Sequence, residues 1–258
     1  MTGREQPLAG GNVNPEVVRV GDTVRRGSGA WTPYVHSLLR HLADVSYPAP
    51  HPLGIDEEGR EVLSFIPGEC AHPTHLDVLE PEAAVRRVGK LIADYHRAQA
   101  GFVAPPGAIW RSEGRDPTGS EEVLAHNDLA PWNLILGPEH WVFIDWDLVA
   151  PGRRMWDLAW ALHSFVGLWP DSAAPDELTV CRIAAFCDGA EVDQAARPHL
   201  LDIVVERTGQ HAGMLRAGAQ AGDPALARLV EDGHAERWES GSRHIAANRD
   251  RWAAALLA

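Results

Sequence analysis

The chain has 258 residues, enough to bury a substantial core without disulfides or metals, and its length suggests one or two domains. Its net charge of −13 argues against a general binder of nucleic acid or of an anionic membrane, which needs a basic face, so neither is expected as a partner. Of the 23 basic residues, Lys90 alone is lysine, which excludes any mechanism that needs a lysine elsewhere.

Taken in order, Glu16–Val20 and Thr23–Arg26 flank the turn pair Gly21-Asp22 and read as a β-hairpin. Trp31 to Ala43 places Val35, Leu38, Leu39 and Leu42 on one helical face. Leu53–Ile55 and Glu61–Ile66 flank an acidic turn and form a second hairpin, so residues 12–66 read as β-β-α-β-β. Pro81 opens a helix to Ala98 with an apolar stripe of Val85, Val88, Leu91, Ile92 and Tyr95. A Pro/Gly-rich connection follows, then a short strand entry at Glu121–Leu124. A third hairpin pairs Leu134–Leu136 with Trp141–Ile144. Helices are expected over 156–168, 174–187, 194–217, 224–239 and 240–257.

No apolar run approaches the ~20 residues of a membrane span. Met1 to Gly11 lacks the apolar core of a signal peptide. Cys70, Cys181 and Cys187 do not make a disulfide framework, and the expected compartment is the cytoplasm.

The stretch that carries chemistry is Leu124 to Leu136, with His126, Asp128 and Asn133 in an H-x-D-L-x-x-x-N frame. Phosphoryl transfer needs a carboxylate for the attacking hydroxyl and oxygen ligands for a Mg²⁺ that bridges nucleotide phosphates. Asp128 can supply the carboxylate and Asn133 one metal ligand. The hairpin then turns the chain back, so Asp145 returns beside Asn133 as the second ligand. Mg²⁺ takes few protein ligands, and two suffice.

These residues, with Ile144-Asp145-Trp146, resemble the aminoglycoside phosphotransferase/choline kinase-like family, a branch of the protein-kinase-like fold. The resemblance extends to Arg154–Ala159, to Leu63–Gly68 and to the helix ending Tyr95-His96-Arg97-Ala98. It covers roughly residues 12–165. It implies an α+β, protein-kinase-like bilobal fold. Residues 1–66 would be a small β-rich, nucleotide-binding N-lobe, and 67–258 a larger, mostly helical C-lobe with the catalytic loop, metal site and substrate region. It further implies Asp128 as catalytic base, Asn133 and Asp145 on Mg²⁺, His126 and Asp157 as supports of the loop, and the backbone of Ser64, Phe65 and Ile66 against the nucleotide base. The donor would be ATP or GTP.

The chain departs from that family in three places. Asn127 stands where a small residue, often glycine, is usual. No G-x-G-x-x-G covers the phosphates, Gly10–Asn14 being only a short loop. The strand lysine is missing, with Arg25 as its best replacement and Arg26 as the alternative; His36 occupies the place of the lysine's glutamate partner.

The expected activity is Mg-dependent transfer of the nucleotide γ-phosphate to a hydroxyl of a small molecule. Candidate acceptors are an aminoglycoside-like antibiotic, which would make this a resistance enzyme, and an amino alcohol, sugar or amino acid metabolite. The alternative is a nucleotide-binding pseudokinase of weak or no catalysis. Trp132 is a candidate wall of the acceptor pocket. Asp202, Glu206, Glu231 and Asp232 could receive a cationic acceptor, though a solvated helix face is their default role. The oligomeric state is left open.

Overall fold

The computed structural model describes residues 4–8, 17–172 and 174–258. The loop Gly10–Asn14 lies outside them. A five-stranded antiparallel sheet comes first. It is built from β1 (Gln6–Pro7), β2 (Val18–Val20), β3 (Thr23–Arg26), β4 (Pro52–Ile55) and β5 (Glu61–Ser64), in the order β1-β2-β3-β5-β4. Helix α1 (Thr32–Asp44) runs between β3 and β4. Pro33 sits in its first turn, where a missing N–H costs nothing, and Val35, Leu38, Leu39 and Leu42 are fully buried. The register sets Arg26 directly opposite Glu61.

The chain then passes through β6 (Glu69–Cys70) into α2 (Glu82–Ala98). Past the long connection come β7 (Val123–Ala125), β8 (Leu134–Leu136), β9 (Trp141–Phe143) and β10 (Ala150–Gly152). β6, β8 and β9 form one small sheet, and β7 pairs with β10. The β7–β10 ladder joins the entry of the 126–133 loop to the exit of the 145–149 segment, so both loops leave one rigid base. The remainder is helical: α3 (Arg154–Val166), α4 (Asp176–Gly189), α5 (Arg197–Gln220), α6 (Pro224–Glu231) and α7 (His234–Leu257).

One hydrophobic core runs from α1 through Tyr95, Leu129, Phe143 and Trp146 to α3, α4 and α5. Helices α2 and α4 cross at two glycines. A Cβ on Gly89 would lie 2.4 Å from Phe186 O, and one on Gly189 2.0 Å from Arg86 O.

The small sheet region and the larger helical region agree with the expected fold class. The last helices differ from expectation. The break between them falls at Asp232-Gly233, not near residue 239, because Gly233 takes a left-handed φ of 81°. An Asp223 side chain caps the short α6 by accepting from the N–H groups of Ala225 and Leu226. β1, β6 and β10 were not expected; runs of two and three residues carry no readable alternation.

Candidate active site

The loop between β7 and β8 is held from behind. Asp157, in the first turn of α3 and fully buried, accepts the N–H of His126 at 3.1 Å and of Asn127 at 2.9 Å. His96 of α2 lies 3.0 Å from the same carboxylate. Burial opposes the charge of Asp157, but His96, Arg207 and His126 outweigh it and hold the carboxyl below its usual range. His126 is buried, and its Nδ1 accepts the N–H of Asp128 at 3.4 Å. Asn127 has a φ of 67°, in the left-handed region that glycine occupies freely and asparagine tolerates. Its amide donates to Ala125 O at 3.2 Å and Leu148 O at 2.8 Å, which ties the two loops together.

Asp128 sits at the turn of this loop. Trp160 Nε1 donates to its Oδ1 at 3.1 Å, and Oδ2 accepts from Trp132 Nε1 at 3.2 Å and Asn133 Nδ2 at 2.7 Å. Burial, with repulsion from Asp145, pushes the carboxyl up to about 6, while those three donors pull it back. At neutral pH it is mostly anionic, yet basic enough to accept a proton.

Asn133 closes the 3-10 turn Pro131–Asn133, and its carbonyl accepts the N–H of Ile144 at 2.9 Å. With Nδ2 committed to Asp128, its Oδ1 is used by no hydrogen bond among the described residues. Asp145 follows β9 with a φ of 62°, a strained conformation for a residue with a Cβ. That turn leaves its carboxylate 49% exposed. One free amide oxygen and one half-exposed carboxylate, next to Asp128, are hard oxygen donors that fit Mg²⁺ with its remaining positions left to water and phosphate.

The cation at this site is Arg26 and not Arg25. Arg25 faces Asp56 at 3.7 Å, beside the acidic turn. Successive residues on a strand point to opposite faces, so only its neighbour enters the cleft. Arg26 Nε donates to Glu61 Oε2 at 2.5 Å, Nη1 to Asp145 Oδ1 at 2.6 Å and Nη2 to Asp147 Oδ1 at 2.5 Å. Burial works against its charge, but Asp145, Asp147 and Glu61 outweigh burial and keep it protonated. Glu61 is completely buried. Its other oxygen lies 2.8 Å from His36 Nε2. The carboxylate missing from α1 is thus supplied by β5, and His36 supports it from the helix.

Of the three residues expected against a nucleotide base, two have committed N–H groups. Ser64 donates to His51 O and Phe65 to Asp22 O, both at 2.9 Å. The N–H of Ile66 enters no hydrogen bond among the described residues. Trp132 is 38% exposed beside Asp128, with its ring perpendicular to that of His72. Asp202 pairs with Arg249 at 2.6 Å, and Glu206 faces Arg153 at 3.8 Å. Sequence reasoning did not reach Glu61, Trp160 or Arg207. A lone acid at the head of the apolar run Glu61-Val62-Leu63 was one available signal; Arg207, in helical step with Leu200, Ile203 and Val204, was a second, and no pattern marks Trp160 apart from its apolar neighbours.

A small antiparallel sheet with one helix, joined to a helical region that carries an Asp/Asn loop and a second Asp after a hairpin, is the fold of the protein-kinase-like phosphotransferases. Over 96% of its length the chain superposes on the amicoumacin kinase hAmiN in complex with AMP-PNP, Ca²⁺ and Ami, with a TM-score of 0.68 at 14% identity and 88% of that chain covered. It also superposes on a choline/ethanolamine kinase family protein from Mesorhizobium loti, with a TM-score of 0.61 at 20% identity, covering 96% of this chain and 93% of that one. Residues 108–180 match the model of the phosphotransferase enzyme family, in line with the resemblance carried by the catalytic-loop residues. The trifolitoxin immunity protein of Rhizobium leguminosarum bv. trifolii is 36% identical over 172 residues, which is 65% of this chain and 64% of that protein. No helix among the described residues is long and apolar enough to cross a membrane.

Proposed function

We propose that this protein transfers the γ-phosphoryl group of ATP or GTP to a hydroxyl of a small toxic molecule and so inactivates it. The observation that carries the reading is the grouping of Asp128, Asn133 and Asp145, with the Asp128 carboxylate oriented by three N–H donors. Asp128 orients the acceptor hydroxyl and takes its proton as the new O–P bond forms and the bond from the γ-phosphorus to the bridging oxygen breaks, releasing ADP or GDP. Asn133 Oδ1 and Asp145 would hold the Mg²⁺, which would supply charge neutralisation on the phosphate oxygens. Arg26 has five N–H groups, of which three are committed; the other two are free to meet a phosphate oxygen. Ile66 offers its backbone N–H to the nucleotide base. The toxin reading draws on a relative called a trifolitoxin immunity protein and on a structural neighbour called an amicoumacin kinase. The cytoplasm, which supplies the donor nucleotide, is the compartment that suits it.

The test is a nucleotide-consumption screen over hydroxylated antibiotics, toxins, amino alcohols and sugars, with Asp128→Asn as the blank. A product heavier by one phosphate, absent with the blank, is the expected result. Turnover by Asp128→Asn near wild type would overturn the base assignment. A pseudokinase is the second reading, favoured by the missing lysine. It predicts nucleotide binding that is indifferent to Mg²⁺ in calorimetry, whereas the kinase reading predicts Mg²⁺-dependent binding that Asp145→Ala removes.

A further inference from the structure

One helix, α3, sends a side chain to an oxygen of Asp128, and two more, α5 and α7, pack against that side chain. Trp160, from α3, is only 5% exposed and donates its indole N–H to Oδ1, the oxygen that neither Trp132 nor Asn133 reaches. Its ring is fixed from two directions. Trp238 of α7 stacks on it, with centroids 4.8 Å apart and planes 16° apart. Arg207 of α5 places its guanidinium 5.2 Å from the Trp160 ring centroid and 4.9 Å from that of Trp156.

Arg207 is 3% exposed and spends its donors on backbone, not on a carboxylate: Nη2 donates to Asn127 O at 2.8 Å and Nη1 to Trp156 O. One buried side chain therefore grips the catalytic loop one residue before the base and holds the start of the helix that carries Trp160. The cation over the indole face and the stacked ring set the direction in which the N–H points.

A carboxylate that receives a proton must present a particular lone pair to the acceptor. A carboxylate on a short loop, fixed at one oxygen only, can still rotate about its Cβ–Cγ bond. Trp132 and Asn133 fix Oδ2, and Trp132 is itself 38% exposed on the same loop. Trp160 fixes the second oxygen from the rigid helical body.

We propose that Trp160, held between Trp238 and Arg207, is a positioning residue that sets the rotation of the Asp128 carboxylate toward the acceptor hydroxyl. This rests on the reading of Asp128 as the base. An indole N–H aimed at the base contributes nothing to nucleotide grip, so its loss falls on the chemical step and not on nucleotide affinity.

The experiment compares wild type, Trp160→Phe and Asp128→Asn with ATP and with water as the acceptor, read as phosphate release. Trp160→Phe keeps the aromatic stack and deletes only the indole ring's donor half. The expected result is a kcat lower by about 10- to 100-fold with the KM for ATP within about twofold, and no activity in Asp128→Asn. Wild-type kcat in Trp160→Phe, or a raised KM at unchanged kcat, overturns the proposal while Asp128→Asn remains inactive. Wild-type turnover by Asp128→Asn overturns the base reading and this inference with it; where wild type releases no phosphate to water from ATP or GTP, the spectra below decide. A second measurement needs no activity and covers the case of a misfolded Trp160→Phe. In ¹H–¹⁵N spectra, the indole proton of Trp160 is expected to lie downfield in wild type and to move upfield in Asp128→Asn. An unmoved resonance overturns the proposal.

Discussion

Arg26 and Glu61 are direct cross-strand partners on β3 and β5, and their side chains meet at 2.5 Å inside the protein. The family resemblance leads to a strand lysine paired with a helix glutamate. Here both charges belong to one sheet, so register fixes the pair and α1 adds only His36. Removing Arg26 strands three carboxylates, Glu61, Asp145 and Asp147, of which Glu61 is completely buried. Breaking a buried ion pair in this way costs about 3–5 kcal/mol. Arg26→Ala is therefore expected to lower the melting temperature and to weaken Mg-nucleotide binding, whereas Arg25→Ala leaves nucleotide affinity near wild type. Calorimetry of both variants decides between the two arginines.

Glu61→Gln separates charge from shape. The amide keeps the volume and can still accept from Arg26, but it no longer offsets the guanidinium charge, and Arg26 is left to Asp145 and Asp147. Arg26 is then drawn harder onto Asp145, a candidate metal ligand. The expected outcome is a fold restored to near wild-type circular dichroism, with Mg²⁺ affinity for the nucleotide complex reduced by about tenfold, which corresponds to 1.4 kcal/mol. Equal Mg²⁺ dependence in the variant and wild type would break the link between the pair and the metal site.

The loop residues were legible because Asp128 and Asn133 lie five positions apart and Asp145 is returned by one short hairpin; local spacing alone brings them together. The choice between Arg25 and Arg26 depends on which face of β3 meets the cleft, and that is set by pairing with β5, 35 residues downstream of Arg26. Arg207 is 80 residues from Asn127 and sits on a helix whose burial pattern includes Leu200, Leu201, Ile203 and Val204. Arg207 continues that face at helical spacing, but what a charge there could pair with depends on the crossing of α3 and α5. Asn127 in place of glycine is understandable only with its left-handed φ and its two carbonyl partners in view.

Gly89 and Gly189 are where α2 and α4 touch backbone to backbone. Neither position requires a special φ; what each lacks is room for a Cβ. Because α2 carries His96 to Asp157, a wedge at this crossing also disturbs the support of the 126–133 loop. Gly89→Ala is expected to destabilise by about 1–3 kcal/mol through overpacking, seen as a lower denaturant midpoint with an unchanged m-value. A midpoint equal to wild type would mean that the helices separate freely.

Acid should destabilise the protein through the aromatic cluster behind the candidate active site. His163 is fully buried among Trp169 and Trp238, and neither ring nitrogen has a hydrogen-bond partner. Burial, assisted by His211 and Arg237, drives its pKa down to about 3. The unfolded chain titrates near the ordinary 6.5. Between those values the unfolded state holds the extra proton, so stability is complete above about pH 6.5 and falls as the pH drops toward 3. At pH 5 the loss from His163 alone is about 2 kcal/mol by linkage. His211, which burial, Arg207 and His234 also lower to about 3, adds in the same direction. Urea midpoints at pH 7.5 and pH 5 measure the slope. His163→Phe keeps a ring against Trp169 and removes the titrating group, so its midpoint should fall less between the two pH values than that of wild type. Identical slopes would move the acid sensitivity in this window to other groups, beginning with His211; Asp116, whose carboxyl bonds from Arg153 and Thr118 lower to about 2 against the opposing effect of burial, loses its contribution only below pH 4 and lies outside the window.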